Sequence, residues 1–426
     1  MVSGQWTVGK KVLPGSAGDD PALSTDHCSL TTNPLPSETE VAIVGGGPVG
    51  LLLGCLLTLS GVDCVVLERR TQSSSHSRAF GIHPPALKVL RTAGVADELI
   101  GRGVKIAGGQ VFLDHERLGR LSLDATDPVF PFVLSVPQTV TESVLERRLR
   151  ELAPGALIRG ADVVPCDEKD GGSYLRIRGV HGGEAQLRAR YIVACDGKNS
   201  AFRENARIPF RGGKYPDCYL MGDFTDDTPF GTDAALFVTR GGIVESFPLP
   251  DGLRRWVVRL PGRMETRDAN DLAALVFERT GFAVPVESCV WMSPFGIEYR
   301  LAQWLHRKNL FLAGDAAHVV SPIGGQGMNL GFLDAGELAE TLPHLLRPSD
   351  TAPHEKMRHS VARFNYEEVR RDAAKTALRR AEWNTRLGRP CPRWHPHRAL
   401  IRAIVSVPWV SEYFAGNFTM QGLDGR

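Results

Sequence analysis

The segment Val41-Ala42-Ile43-Val44-Gly45-Gly46-Gly47-Pro48-Val49-Gly50 continues as an apolar run to Ser60 and then reaches Cys64-Val65-Val66-Leu67-Glu68. Val41 to Val44 reads as a buried strand, Pro48 to Ser60 as a helix with proline in its first turn, and Cys64 to Leu67 as a second strand. That order is a βαβ unit and requires a parallel sheet. Gly45-x-Gly47-x-x-Gly50 lies between strand and helix. Its glycines permit a tight turn, admit a diphosphate to the free N–H groups of the helix start, and let helix and strand approach closely. Gly54 and Gly61 keep the helix near the sheet and end it. Glu68 lies 18 residues beyond Gly50, at a strand end, where an acid can accept both ribose hydroxyls of an adenosine. The motif predicts a dinucleotide site without separating FAD from NAD.

The same segment holds the longest candidate for a membrane span, 22 uncharged residues from Val41 to Val62. Its glycines and Pro48 would break a spanning helix near its first turns, so no integral membrane segment is expected. The first 38 residues are polar and rich in Gly, Pro, Ser and Asp. They lack the roughly 7–15-residue apolar region of a secretory signal and read as a flexible leader. With 426 residues, 50 Lys+Arg against 48 Asp+Glu and a net charge of +2, the chain is a balanced globular protein of two or three domains. No long basic block supports nucleic-acid binding. One local excess stands out: Glu355 to Arg402 holds 13 Lys/Arg and 5 Asp/Glu, a net of +8. It reads as a solvated helix face or, with the apolar residues Ala399 to Val410 beyond it, as a surface for membrane contact. The 8 cysteines form no C-x-x-C pair, which fits reduced thiols in a cytoplasmic protein. Cys391, His395 and His397 are too few, among prolines and arginines, to predict a metal site.

Leu187 to Ala194 and Leu310 to Ala313 read as further short apolar strands, followed by Asp196-Gly197 and Gly314-Asp315. Between them, Lys214 to about Arg300 consists of short runs separated by Gly, Asp and Pro, as in an antiparallel sheet. Helices are expected from Met328 to Leu342, from Glu355 to about Leu387, and from Arg398 to Phe414. The fold class is therefore α/β: a Rossmann-like cofactor domain with an antiparallel-sheet substrate domain inserted and a helical C-terminal region. The expected division is 1–38 leader; 39–110, 135–213 and 301–345 cofactor domain; 111–134 and 214–300 substrate domain; 346–426 helical region.

Three fingerprints taken together go further than the glycine motif: Gly45 to Gly50, Asp196-Gly197-Lys198-Asn199-Ser200-Ala201-Phe202-Arg203, and Gly314-Asp315-Ala316-Ala317-His318. Ser77-Arg78-Ala79, Gln138 with Thr141-Glu142, Arg300-Leu301-Ala302, Ser321 to Asn329 and Asp334-Ala335 follow in matching order. Over about residues 38 to 370 the chain resembles the FAD-dependent aromatic-ring hydroxylases of the para-hydroxybenzoate hydroxylase type, the class A flavoprotein monooxygenases. The resemblance implies FAD as cofactor and NADPH or NADH as transient co-substrate. No second G-x-G-x-x-G follows a strand, which is normal for that family, and a separate flavin reductase stays open.

The resemblance also assigns residues. Gly45, Gly47, Pro48, Val49, Gly50, Glu68 and Arg69 hold the ADP half, and Arg78 and Gln138 stand beside the diphosphate or ribityl oxygens. Asp196 serves FAD and the pyridine nucleotide, and Gly314-Asp315 the ribityl chain. Pro322, Gly324, Gly325, Gly327, Met328 and Asn329 form a loop and helix start whose N–H groups stabilise negative charge on reduced flavin. In that family a flavin C4a-hydroperoxide then transfers OH to an electron-rich substrate. Here that substrate is expected to be a small aromatic or polyketide-type molecule, with O2 as oxidant. No side chain is assigned as base; His83 and His318 read as structural histidines. Phe237, Phe247, Trp256 and Phe295 are the apolar substrate candidates. Epoxidation, Baeyer–Villiger insertion and hydroxylation of a quinone precursor use the same flavin chemistry, and a non-catalytic FAD-binding protein is a reading from another class. Some family members add a thioredoxin-like domain, for which the residues after about 400 leave no space. Substrate identity and oligomeric state are not determined by the sequence.

Overall fold

The computed structural model describes residues 35–73, 79–169, 172–179, 183–262, 267–347, 355–392 and 396–424. Arg78, His395 and most of the leader lie outside these residues. Strand Glu38–Val44 is central in the first sheet. It pairs in parallel with Cys64–Glu68 on one side and Glu184–Ala194 on the other, and Leu310–Leu312 extends the parallel set beyond Glu184–Ala194. Burial on both faces explains why these strands are continuous apolar runs rather than alternating ones. Val41, Ala42, Ile43 and Val193 are fully buried, as are Leu51, Leu52 and Leu53 of helix Pro48–Leu59 above them.

The second sheet runs in the order 318–319, 291–302, 210–225, 253–259, 244–248, 234–238, 108–113, 116–122. From 210 to 302 its neighbours are antiparallel, as the short punctuated runs predict. Strand Ala234–Val238, however, pairs in parallel with Gly108–Leu113, which joins the two excursions of the chain into one surface. Strand alternation gives this sheet two apolar faces. One packs Phe112, Leu220, Phe237 and Trp256 against Leu272 and Val276 of helix Ala269–Thr280. The other carries Met221, Ile243, Val257 and Phe295.

The C-terminal part is helical, with one correction. The single helix expected from Arg398 to Phe414 is two, His397–Ser406 and Pro408–Phe418, because Pro408 has no N–H to continue the first and Val407 turns extended at φ −109°, ψ 112°. These helices pack on strand Glu116–Ser122, and helix Glu355–Leu387 packs on helix Gln326–Leu346. Among the described residues no helix is long and apolar enough to cross a membrane.

One buried junction ties these parts together. The Asp334 carboxylate accepts from the Gly314 N–H (2.9 Å), the His318 Nε2 (2.6 Å) and the Arg370 Nε (2.9 Å), and Arg370 also donates to the Leu423 carbonyl (2.9 Å). Burial alone would push the Asp334 carboxyl up, but His318 and Arg370 outweigh it and hold it below the ordinary range. Removing one partner of such a pair leaves an uncompensated buried charge. Arg370→Ala is therefore expected to cost about 3–5 kcal/mol, read as a lower denaturant midpoint with faster proteolysis after Phe418. A midpoint matching the wild type would show that Asp334 needs no cation from helix Glu355–Leu387.

Candidate active site

The cofactor residues converge because they sit at the carboxyl ends of neighbouring parallel strands, the edge where open α/β sheets bind ligands. Gly45 follows strand Glu38–Val44, Glu68 ends its own strand, Asp196 follows Ala194, and Gly314-Asp315 follow Leu312-Ala313. Together they line a groove of about 910 Å³. Gly45 has φ +110°, and a Cβ there would fall 2.3 Å from the Cys195 carbonyl oxygen. Gly50 does not line the groove; it lets the helix seat on the Gly45 carbonyl, 2.0 Å from where its Cβ would be. Gly47 differs from both, since a Cβ there meets no protein atom. Beside the unpaired N–H groups of the helix start, that open space is a cradle for a diphosphate.

The acids fit the remainder of FAD. Glu68 accepts from the Gly46 N–H (2.6 Å) and from the Arg70 N–H and guanidinium (2.8 and 3.0 Å). Burial raises its carboxyl, but these donors outweigh that and hold it below the ordinary range, so it stays an acceptor for hydroxyls. Asp196 accepts from the Ala201 N–H through Oδ2 (3.0 Å), while its buried Oδ1 has no partner among the described residues. The Asp315 carboxylate is exposed to the groove yet walled by protein elsewhere, and burial raises it above the ordinary carboxylate range. Gln138 lines the groove and donates to Glu142 (2.7 Å). Pro48, Val49 and Arg69 line it too. The Asp315 carboxylate, exposed to the groove and without a hydrogen bond among the described residues, is an acceptor that a polyhydroxylated chain would satisfy. These acceptors, with the N–H groups of the helix start, therefore fit FAD.

The groove adjoins a second cavity of about 700 Å³, and the two share Ala79, Gly327 and Met328. Pro322, Gly324 and Gly325 line this second cavity rather than the groove. Helix Gln326–Leu346 begins here with Gly325 as its N-cap. Asn329 lies outside the groove lining, and its amide positions the loop instead. It donates to the carbonyls of Gly81 and Gly325 (2.8 Å each) and accepts from the His83 N–H (2.8 Å). His83 packs under the loop, and burial pushes its imidazole down to about 4, so it stays neutral. His318 belongs to the Asp334 junction.

Phe247 and Phe295 line the cavity, whereas Phe237 (0% exposed) and Trp256 (1%) do not. The correction follows from strand parity. Ile243, Glu245 and Phe247 face the cavity, and Phe237 and Trp256 point to the opposite face, against helix Ala269–Thr280. The cavity's remaining wall comes from the C-terminal helices, through Trp383, Leu387, Ile401, Ile404, Phe414 and Phe418. Part of the basic segment is thus engaged with the second sheet, while Trp409 (73%) and Tyr413 (66%) beyond it are exposed. Arg389 pairs with Asp217 (2.9 Å), Arg398 with Asp114 (3.0 Å) and Arg402 with Glu116 (2.7 Å), clamping the helices to the second sheet.

A family model described as FAD binding domain matches residues 38–381. The chain belongs to this family. It is an FAD-dependent class A flavoprotein monooxygenase, and such enzymes use NAD(P)H as co-substrate. The uncharacterized aromatic compound monooxygenase YhjG of Bacillus subtilis is 30% identical over 385 residues, 89% of this chain and 75% of that protein. A 12-dehydrotetracycline 5-monooxygenase/anhydrotetracycline 6-monooxygenase of Streptomyces rimosus is 31% identical over 393 residues, 88% of this chain and 75% of that one. Among solved structures, p-nitrophenol 4-monooxygenase PnpA from Pseudomonas putida aligns with a TM-score of 0.80 at 26% identity, covering 92% of this chain and all of that one.

One cavity residue has no counterpart in the sequence reading of this monooxygenase. Glu245 is 5% exposed, lines the cavity, and has no hydrogen bond or ion pair among the described residues. Burial raises its carboxyl from 4.5 to about 7. The only signal was its parity with Ile243 and Phe247. An acid whose folded value is raised costs the fold nothing below the unfolded value; the cost grows as pH rises between the two and is complete above about 7. Glu245→Gln is therefore expected to melt higher than wild type at pH 8, by about 1–3 kcal/mol, and to match it near pH 4.5. A variant that melts lower at pH 8 would show that the protein itself stabilises the carboxylate.

Proposed function

We propose that this protein hydroxylates a planar aromatic or polyketide-type small molecule with NAD(P)H and O2, the substrate lying in the cavity that adjoins the cofactor groove. The observation that carries this reading is the shared border at Ala79, Gly327 and Met328, where a ligand in the cavity meets a cofactor in the groove. Bound FAD supplies the two-electron chemistry that activates O2 toward transfer of one oxygen atom. The chain's own residues do the rest. Glu68, Asp196 and Asp315 accept hydroxyls of the cofactor, with Asp315 assigned to the ribityl chain. The N–H groups of Gly327 and Met328, at the helix start, offer donors and a positive dipole end to developing negative charge. Phe247, Phe295 and the C-terminal helices exclude water, which protects a reactive oxygen donor from wasteful decay. In this reading 39–110, 135–213 and 301–345 hold the cofactor, and 111–134 and 214–300 form the sheet wall. The helices after 346 complete the enclosure.

The relatives' names support an aromatic or fused-ring substrate, and the cavity volume of about 700 Å³ admits one. A cytoplasmic setting accords with Cys55, Cys64 and Cys195 as free thiols. The reading is tested with FAD-loaded protein, NADPH, isotopically labelled dioxygen and a panel of naphthols and hydroxyanthraquinones. At least one compound is expected to accelerate NADPH oxidation and to gain a single labelled oxygen. Asp315→Ala is expected to bind FAD about 10–100-fold more weakly, seen as flavin lost on gel filtration. NADPH oxidation indifferent to every phenol, or a wild type that cannot be reconstituted with FAD, would contradict the reading.

A further inference from the structure

The cavity face of the second sheet contains one row of directly paired residues, Val111, Leu236, Glu245, Val257 and Met221, crossing five strands. All five line the cavity, and four are apolar. The acid in the middle is not explained by the fold. In or next to the same sheet Asp217 pairs with Arg259 (2.9 Å), Asp223 with Arg255 (2.6 Å) and Asp226 with Arg254 (2.7 Å). The buried Asp217 and Asp223 and the half-buried Asp226 are each matched by a guanidinium, as charge withdrawn from water requires. Glu245 has none among the described residues, although its side chain is almost wholly enclosed.

Among the described residues no cation pairs with Glu245, and burial is what raises its carboxyl. Strands Ala234–Val238 and Leu253–Arg259 present Leu236 and Val257 beside it. The titratable groups around the same cavity are His83, Arg379, Arg380, Tyr413 and the adjoining buried phenol of Tyr219. The Glu245 charge adds to burial in raising the Tyr219 phenol, whose hydroxyl makes no hydrogen bond among the described residues. A carboxyl held without a partner on a rigid strand, facing a ligand-sized apolar cavity, is a hydrogen-bonding group kept for the ligand.

Resting on the hydroxylase reading, we infer that Glu245 is the substrate's polar anchor and selects aromatic ligands that present a hydroxyl or amine donor to the sheet. A ring lacking that donor still enters the apolar cavity but leaves the carboxyl buried and unsatisfied. Sites built to hydrogen-bond a ligand discriminate strongly against analogues that cannot return the bond. The anchor also fixes which edge of the ring faces the shared border with the cofactor groove, so it bears on the position of hydroxylation as well as on affinity.

The test uses FAD-loaded wild type, Glu245→Leu and Glu245→Gln, with 2-naphthol and its methyl ether 2-methoxynaphthalene as probes. Binding is followed through perturbation of the flavin absorption, and equal flavin content shows that each variant folds. Wild type is expected to prefer the naphthol by about 10-fold or more. Glu245→Leu should bind the two within about 2-fold of each other, chiefly by weakening the naphthol, and Glu245→Gln, whose amide oxygen still accepts, should retain part of the preference. A Glu245→Leu variant that keeps the wild-type preference overturns the inference, as does a wild type that binds both probes equally; either leaves the aromatic-substrate reading standing. Failure of the wild type to bind either probe overturns the inference, and failure to bind every phenol of the panel overturns the hydroxylase reading with it.

Discussion

The Asp334 carboxylate is the constraint on which the rest of this molecule depends. It is fully buried and shares its lone pairs among the Gly314 N–H, His318 and Arg370. Each partner belongs to a different functional part. Gly314 opens the turn that presents Asp315 to the groove. His318 lies on the short strand that joins the second sheet at Leu301. Arg370 carries helix Glu355–Leu387, which lines the cavity, and reaches the tail at Leu423. Without compensation a buried carboxylate is costly. Compensated from three sides, it makes cofactor edge, sheet wall and enclosing helices assemble together.

That assembly creates two adjoining spaces of opposite chemistry. The groove is walled by strand-end acids, glycine backbone and a helix start, suited to diphosphate and hydroxyls. The cavity is walled by apolar residues of one sheet face and of the C-terminal helices, with Glu245 as an acid unpaired among the described residues inside it. A flavin enzyme that inserts oxygen needs this contrast: strong polar binding for the cofactor, and a dry compartment for the ring and the reactive oxygen. Arg389, Arg398 and Arg402 serve the second compartment by pinning its helices to Asp217, Asp114 and Glu116.

The first compartment was legible in the sequence because its signals are local. A strand, a glycine turn and an acid at a strand end each announce themselves within a few residues, and parallel pairing then brings Gly45, Glu68, Asp196 and Asp315 to one edge. The second compartment was not, because its signals are parity and distance. Phe237 and Trp256 look no different from Phe247 and Phe295 until the strands are paired and one face is covered by helix Ala269–Thr280. Arg398 meets Asp114 across 284 residues of chain, which no local pattern encodes. Asn329 was read as a cofactor ligand, yet spends its amide on Gly81, His83 and Gly325. Glu245 was passed over inside a strand that was otherwise correctly placed.

The central claim is that the cofactor's reactive ring meets the substrate at the border lined by Ala79, Gly327 and Met328. A crystal structure of the FAD-loaded protein with a bound naphthol tests it most directly. The account predicts the flavin ring at that border beside the Gly325–Met328 helix start, with the naphthol in the cavity between the second sheet and the C-terminal helices. A flavin ring held away from that border, or a naphthol bound outside the cavity, would contradict it.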